Sequence, residues 1–132
     1  MILLDTHVWV WWVSSPEVLS SHAEEIVDNA MVKREIFISS ISVWEVALLV
    51  AKGRLELTMD ITDWIAKSEA LPFINFIPVD NNIAIKSINL PPPFHIDPAD
   101  RIIISTALTL GVPIVTKDTR IINYSHIRTI WE

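Results

Sequence analysis

The segment from Asp97 to Asp118 limits this chain more than any other, because it dictates a capped helix, a turn and a short buried strand ending on a carboxylate. Asp97 suits the N-cap, where a carboxylate accepts hydrogen bonds from the free N–H groups of the first turn. Pro98 suits the first helical position, where its missing N–H costs nothing. Asp100 falls in the first turn, near the positive end of the helix dipole. Ile103, Ile104, Ala107 and Leu108 then recur at helical spacing, and Gly111 is the expected C-cap. Pro113 to Thr116 is short, β-branched and apolar, as a strand covered on both faces should be. Capping accounts for Asp97, but not for Asp100 and Asp118 beside apolar elements.

The same alternation runs through the rest of the chain. Met1 to Thr6 reads as a buried first strand ending on Asp5, followed from about Thr6 by a helix with Val8, Trp9, Trp12 and Val13 on one face. Ser14-Ser15-Pro16 breaks that helix, and Ser20-Ser21 starts another that turns Ala23, Ile26, Val27 and Ala30 inward. Ile36 to Ser39 is the next strand. Ser40 or Ser42 is expected to cap a helix reaching about Lys52, with Gly53 ending it and Glu45 in its first turn. Thr62 or Asp63 begins a short helix with Trp64, Ile65 and Ala70. Asn75 to Val79 is extended, Asn81 to Ile88 helical, and Leu90 to Phe94 a rigid proline connection. His126 to Trp131 makes a last edge strand. Strands alternating with helices predict an α/β fold: a parallel sheet covered on both faces, in a single domain over residues 1–132.

The 132 residues suffice for a real core without metal or disulfide staples. The chain is 51% hydrophobic, with a mean hydropathy of +0.40, which excludes a disordered chain. No cysteine is present, so a disulfide framework, a thiolate zinc site and a cysteine nucleophile are excluded. This fits a cytoplasmic protein. Two glycines rule out a glycine-rich phosphate loop. The apolar start carries Asp5 and no basic leader; it reads as folded structure, neither membrane span nor targeting segment. A formal net charge of −6 argues against a large non-specific nucleic-acid footprint, though not against a nucleic-acid enzyme.

Parallel sheets of this kind place ligand sites beyond the carboxyl ends of their strands. Asp5 and Asp118 follow strands, while Glu45 and Asp100 start helices at the same edge, so four carboxylates from four segments are expected to converge. Such a cluster repels itself unless pKa values rise or cations neutralise it. All-oxygen carboxylate sites suit Mg²⁺ or Mn²⁺, and the matching chemistry is in-line phosphoryl transfer. Thr6 and Thr116 each neighbour a carboxylate and are placed to orient one or to bind water.

Four blocks in order point to a family: Leu3-Leu4-Asp5-Thr6-His7, Ser42-Val43-Trp44-Glu45-Val46-Ala47, His95-Ile96-Asp97-Pro98-Ala99-Asp100-Arg101-Ile102-Ile103-Ile104, and Ile114-Val115-Thr116-Lys117-Asp118. Over essentially its whole length the chain resembles PIN-domain ribonucleases, in particular the VapC toxins of bacterial type II toxin–antitoxin modules. The resemblance implies a three-layer α/β/α PIN-like fold and a Mg²⁺- or Mn²⁺-dependent endoribonuclease. It further implies an antitoxin partner and a homodimer. The acidic site carries over as Asp5, Glu45 and Asp100, with Asp118 as the more variable fourth member, and Thr6 matches the polar residue after the first Asp.

Each residue also has a plainer reading. Asp5 and Asp118 could be turn residues, and Ser42-x-x-Glu45 is a capping-box pattern that competes for Glu45. His7 and His95 beside carboxylates are expected to make structural hydrogen bonds. Arg101 and Lys117 could contact phosphate or pair with a site carboxylate. Trp9, Trp11 and Trp12 cannot all turn inward from one short helix, so at least one is expected at a protein interface. Two other functions compete with the nuclease. A receiver-like phosphoacceptor domain would share the strand-end Asp and Thr116-Lys117, but would need two acids after the first strand. A non-catalytic PIN-like interaction module would show no divalent-ion affinity.

Overall fold

The computed structural model describes residues 1–93 and 97–132, so the expectation for His95 falls outside the described residues. In chain order the elements are β1 (Ile2–Leu4), α1 (Thr6–Ser14), α2 (Ser21–Val32), β2 (Ile36–Ser39), α3 (Ser40–Ala51), α4 (Ile61–Glu69), β3 (Ile74–Ile77), α5 (Asn81–Ile88), α6 (Pro98–Leu110), β4 (Ile114–Val115), α7 (Thr119–Ile122) and β5 (Thr129–Ile130). The five strands form one sheet in the order β3-β2-β1-β4-β5, and every pairing is parallel.

The strand period of two sorts the core into two layers. Ile2, Leu4, Ile36, Ile38 and Val115 enter one apolar cluster with Val8 and Trp9 of α1, Val27 of α2, Val46 of α3 and Trp64 of α4. Leu3 and Ile114 face the other way, against Ile103, Ile104 and Ala107 of α6 and Ile121 of α7. The fold is therefore three-layered, α/β/α. Helix α5 lies against α6: the Ser105 hydroxyl donates to the Ile83 carbonyl (2.8 Å), and the Arg101 guanidinium donates to the Ser87 carbonyl (3.2 Å).

Helix α6 forms as its sequence dictates. The Asp97 side chain accepts from the Asp100 N–H at 3.0 Å, Pro98 opens the helix, and Gly111 closes it at φ 69°, a left-handed conformation that suits glycine. Other starts differ from expectation. Ser39, the last strand residue, caps α3 by accepting from the Ile41 N–H (3.2 Å), because β2 passes into the helix without a loop. Neither Ser40 nor Ser42 is the cap, and Glu45 sits in the second turn. Asp60 caps α4, ahead of Thr62 and Asp63. Val13 and Ala70 are exposed rather than inward. A turn of helix, α7, follows Asp118, with no apolar period long enough to announce it.

Trp9 is fully buried and packs at a tilt against Trp64 (centroids 4.8 Å) and edge-on to Phe76 (5.6 Å). Trp11 and Trp12 are half-buried against Trp131 and Phe73 of the same chain. The Ser20 hydroxyl, which caps α2, also donates to the Trp131 carbonyl and ties the last strand to the helical layer.

Candidate active site

Strand β1 is the centre of the sheet, and the chain leaves its carboxyl end at Asp5. The neighbouring strand β4 delivers Thr116 and Asp118 to the same edge. Helix α3 starts there because it follows β2. Helix α6 starts there because it runs back to feed β4. Four segments distant in sequence thus bring Asp5, Glu45, Asp100 and Asp118 to one end of the sheet, beside the crevice between β1 and β4 where strand order reverses.

Asp5 is 7% exposed, and both its oxygens are engaged. Oδ1 accepts from the Thr6 N–H (2.8 Å), as the N-cap of α1, and Oδ2 accepts from the Thr116 hydroxyl (2.8 Å). Burial holds this carboxyl above its ordinary range, against the pull of those two hydrogen bonds and of His7, and the Asp118 charge pushes it further up. The turn reading of Asp5 is thus true as far as it goes: the residue caps a helix, yet it does so buried and crowded by a second acid.

Thr6 links Asp5 to α3. Its hydroxyl lies 2.6 Å from Glu45 Oε1 and 2.8 Å from Ser42 Oγ. A hydroxyl carries one proton, and an ionised carboxylate only accepts, so Thr6 donates to Glu45 and receives from Ser42. Ser42 and Glu45, three apart, share one helical face. The capping box does not form; that shared face is turned to Thr6 instead. Partial burial is the main cause that raises the Glu45 carboxyl to about 7, with the Thr6 bond opposing and the charges of Asp5, Asp100 and Asp97 adding.

Asp100, also 7% exposed, and Asp118 share a cation. The Arg120 guanidinium lies 3.2 Å from Asp118 Oδ2 and 3.7 Å from Asp100 Oδ2. Asp118 also caps α7, accepting from the Arg120 N–H (2.9 Å), while its own N–H donates to Thr116 Oγ1 (3.0 Å). Its turn role and its place in the acidic cluster coexist. Neither Ser42 nor Arg120 stood out in the sequence as a site residue. Ser42 was legible from its helical register with Glu45; Arg120, on a four-residue helix, carried no signal. Arg101 is directed at α5, and Lys117 lies over the Trp131 ring at 5.9 Å. Among the described residues, no three carboxylate or imidazole groups converge closely enough to hold one ion by themselves.

These shifts carry a sign. Asp5 and Glu45 bind protons more tightly when folded than unfolded, so stability from this source is present below the ordinary carboxyl range and is lost as pH rises through the folded value. For Glu45 the window runs from 4.5 to about 7. The melting temperature of EDTA-treated protein is expected to fall across that window, and Glu45→Gln to flatten the fall. Equal slopes in the two proteins would contradict this reading.

Comparison with known proteins places these features in context. A sequence model of the PIN domain matches residues 2–127. The chain is 33% identical over 132 residues to Ribonuclease VapC22 of Mycobacterium tuberculosis, covering 98% of each chain. Among solved structures it is similar to FitAcB from Neisseria gonorrhoeae (TM-score 0.69, 21% identity, 98% of this chain and 96% of that one). It is also similar to VapBC2 from Rickettsia felis bound to a promoter DNA fragment (0.68, 16%, 100% of both) and to a toxin–antitoxin complex from Klebsiella pneumoniae (0.66, 19%, 98% and 96%). At these identities the structural likenesses speak for the fold alone.

Proposed function

This chain belongs to the PIN-domain family, and from that premise we propose that it is a metal-dependent endoribonuclease, the toxin of a toxin–antitoxin pair restrained by a cognate antitoxin. The observation that carries the reading is the convergence of Asp5, Glu45, Asp100 and Asp118 at the β1–β4 edge, with Asp5 and Asp100 buried, and with Asp5 and Glu45 each raised by burial and by neighbouring acids, Asp118 for the first and Asp5, Asp100 and Asp97 for the second. The relative named a ribonuclease supports the activity, and the neighbours that are toxin–antitoxin complexes support the partner.

The donor set fits a hard divalent cation, Mg²⁺ or Mn²⁺. It is all oxygen, and two of its members, Asp100 and Asp118, already lie within ion-pair distance of one positive group, Arg120. Mg²⁺ keeps several waters and takes one or two carboxylates from a protein, so three side chains closing on one point are not required. One or two of Asp5, Glu45, Asp100 and Asp118 would bind it directly and the others through its waters, and when bound it would supply positive charge for in-line attack of water on a phosphodiester. Thr116 and Thr6 fix the orientation of Asp5 and Glu45 through single hydrogen bonds. Glu45, at about 7, is the carboxylate suited to take a proton near neutral pH.

The receiver-like alternative loses ground, because β2 ends on Ser39 and β1 brings a single acid to the sheet edge. A non-catalytic module remains the outcome to test against. Purified protein freed of antitoxin is expected to cut total RNA into discrete fragments with Mg²⁺ or Mn²⁺ and to stop in EDTA. Cleavage that persists in EDTA would remove the metal from the reading. No cleavage together with no divalent-ion binding would favour the interaction module.

A further inference from the structure

A cavity of about 360 Å³ opens beside the acidic cluster, bounded by Asp5, His7, Val8, Trp11, Lys117 and Asp118. That is the lower end of the range for small-ligand clefts, about 300–1,000 Å³. One side of it is made of two of the carboxylates already assigned to the site. The other is aromatic. Trp11 lies against His7 (centroids 5.7 Å, tilted) and edge-on to Trp131 (6.2 Å). The Trp131 carbonyl accepts from the Ser20 hydroxyl, and Lys117 sits over the Trp131 ring. A second cavity, of about 480 Å³ and lined by Lys117, Ile122 and Trp131 among others, adjoins the first through Lys117.

An aromatic wall with a cation at its rim, next to a site for phosphodiester chemistry, is the arrangement by which proteins take single-stranded nucleic acid: bases stack on rings while cations follow the backbone. We propose that the Trp11–His7 cavity is a base-stacking subsite that takes the nucleotide flanking the scissile phosphate, with Lys117 at the next phosphate along. This rests on the nuclease reading. A paired base presents its face to its neighbours in the stack and cannot enter the cavity; an unpaired one can.

The test uses a single-stranded oligoribonucleotide that the wild-type protein cleaves in Mg²⁺, with each base in turn replaced by an abasic sugar. Wild type is expected to lose about 5- to 150-fold in kcat/KM at one position next to the cut, the span of one base–aromatic stack, and little elsewhere. Trp11→Ala is expected to lose about as much on intact RNA and to become indifferent to the abasic sugar at that position. Trp11→Phe should retain most of the discrimination. Thermal melting and Mn²⁺ titration of both variants show whether fold and carboxylate site are intact; if Trp11→Ala does not fold, the Trp11→Phe and abasic comparison decides. Uniform tolerance of abasic sugars by wild type, or a wild-type abasic profile in Trp11→Ala, overturns the subsite while leaving the nuclease standing. It would leave the indole to the interface role that the sequence predicts for at least one of the three neighbouring tryptophans. A wild-type protein that cleaves no RNA overturns both.

Discussion

Asp5→Asn and Asp100→Asn are each expected to abolish RNA cleavage, with losses of about a thousand-fold or more, while the folded protein stays as stable as wild type or becomes more so. The loss follows from what a carboxylate does at such a site. It supplies charge that a divalent ion requires, and the ion's contribution to the transition state is several kcal/mol, each ~1.4 kcal/mol being tenfold in rate. The retained stability follows from the setting of Asp5. Burial already opposes its negative charge, and Asp118 repels it. Asparagine has the same shape and keeps the bond from the Thr6 N–H. Where Asp5 Oδ2 accepts from Thr116, the amide nitrogen would donate instead, and the Thr116 oxygen has a lone pair to receive it beside the Asp118 N–H. Asp100→Asn gives up the charge that faces an exposed arginine at 3.7 Å, a contact of small worth. Cleavage assays paired with thermal melts check both halves. Full activity in both variants would sink the site assignment, whereas lost activity with collapsed stability would leave it without support from these substitutions.

Trp9→Ala is the substitution expected to damage the fold most, by about 3–5 kcal/mol, the usual range for removing a large aromatic from a core. Trp9 has no exposure and joins α1 to α4 and β3 through Trp64 and Phe76. Its removal opens a cavity in the apolar layer that also holds Leu4, the residue before Asp5. Trp9→Phe is expected to cost much less than its lost volume suggests, since among the described residues Trp9 Nε1 is buried without a hydrogen-bond partner. Chemical denaturation of the three proteins checks the order. A Trp9→Ala protein within 1 kcal/mol of wild type, well under the expected cost of such a cavity, would mean that the helical layer repacks.

Local rules in the sequence carried the layered α/β architecture, the helix from Pro98 to Leu110 with both caps, the strand from Ile36 to Ser39 and the helix from Asn81 to Ile88. They could do so because caps, prolines and hydrophobic periods act between residues a few positions apart. The convergence of the four carboxylates was legible for a related reason: once strands are parallel, their carboxyl ends lie on one side. Helix starts at Ser39 and Asp60 were missed, because several capping residues stand in a row there and only the path of the entering chain selects one.

What tertiary structure alone decided is how the site's polar atoms are paired. Thr6 reaches Ser42 and Glu45 across 36 and 39 residues, and Thr116 reaches Asp5 across 111. The Ser42–Glu45 spacing is equally consistent with a capping box, and only the approach of α1 to α3 turns it toward Thr6. Arg120 between Asp100 and Asp118, and the division of three neighbouring tryptophans into one core residue and two half-buried ones, depend likewise on which elements meet. A sequence fixes the chemistry of each group and its neighbours along the chain; which distant group satisfies a buried hydroxyl or carboxylate is set by packing, where a difference of a few ångströms makes or breaks the bond.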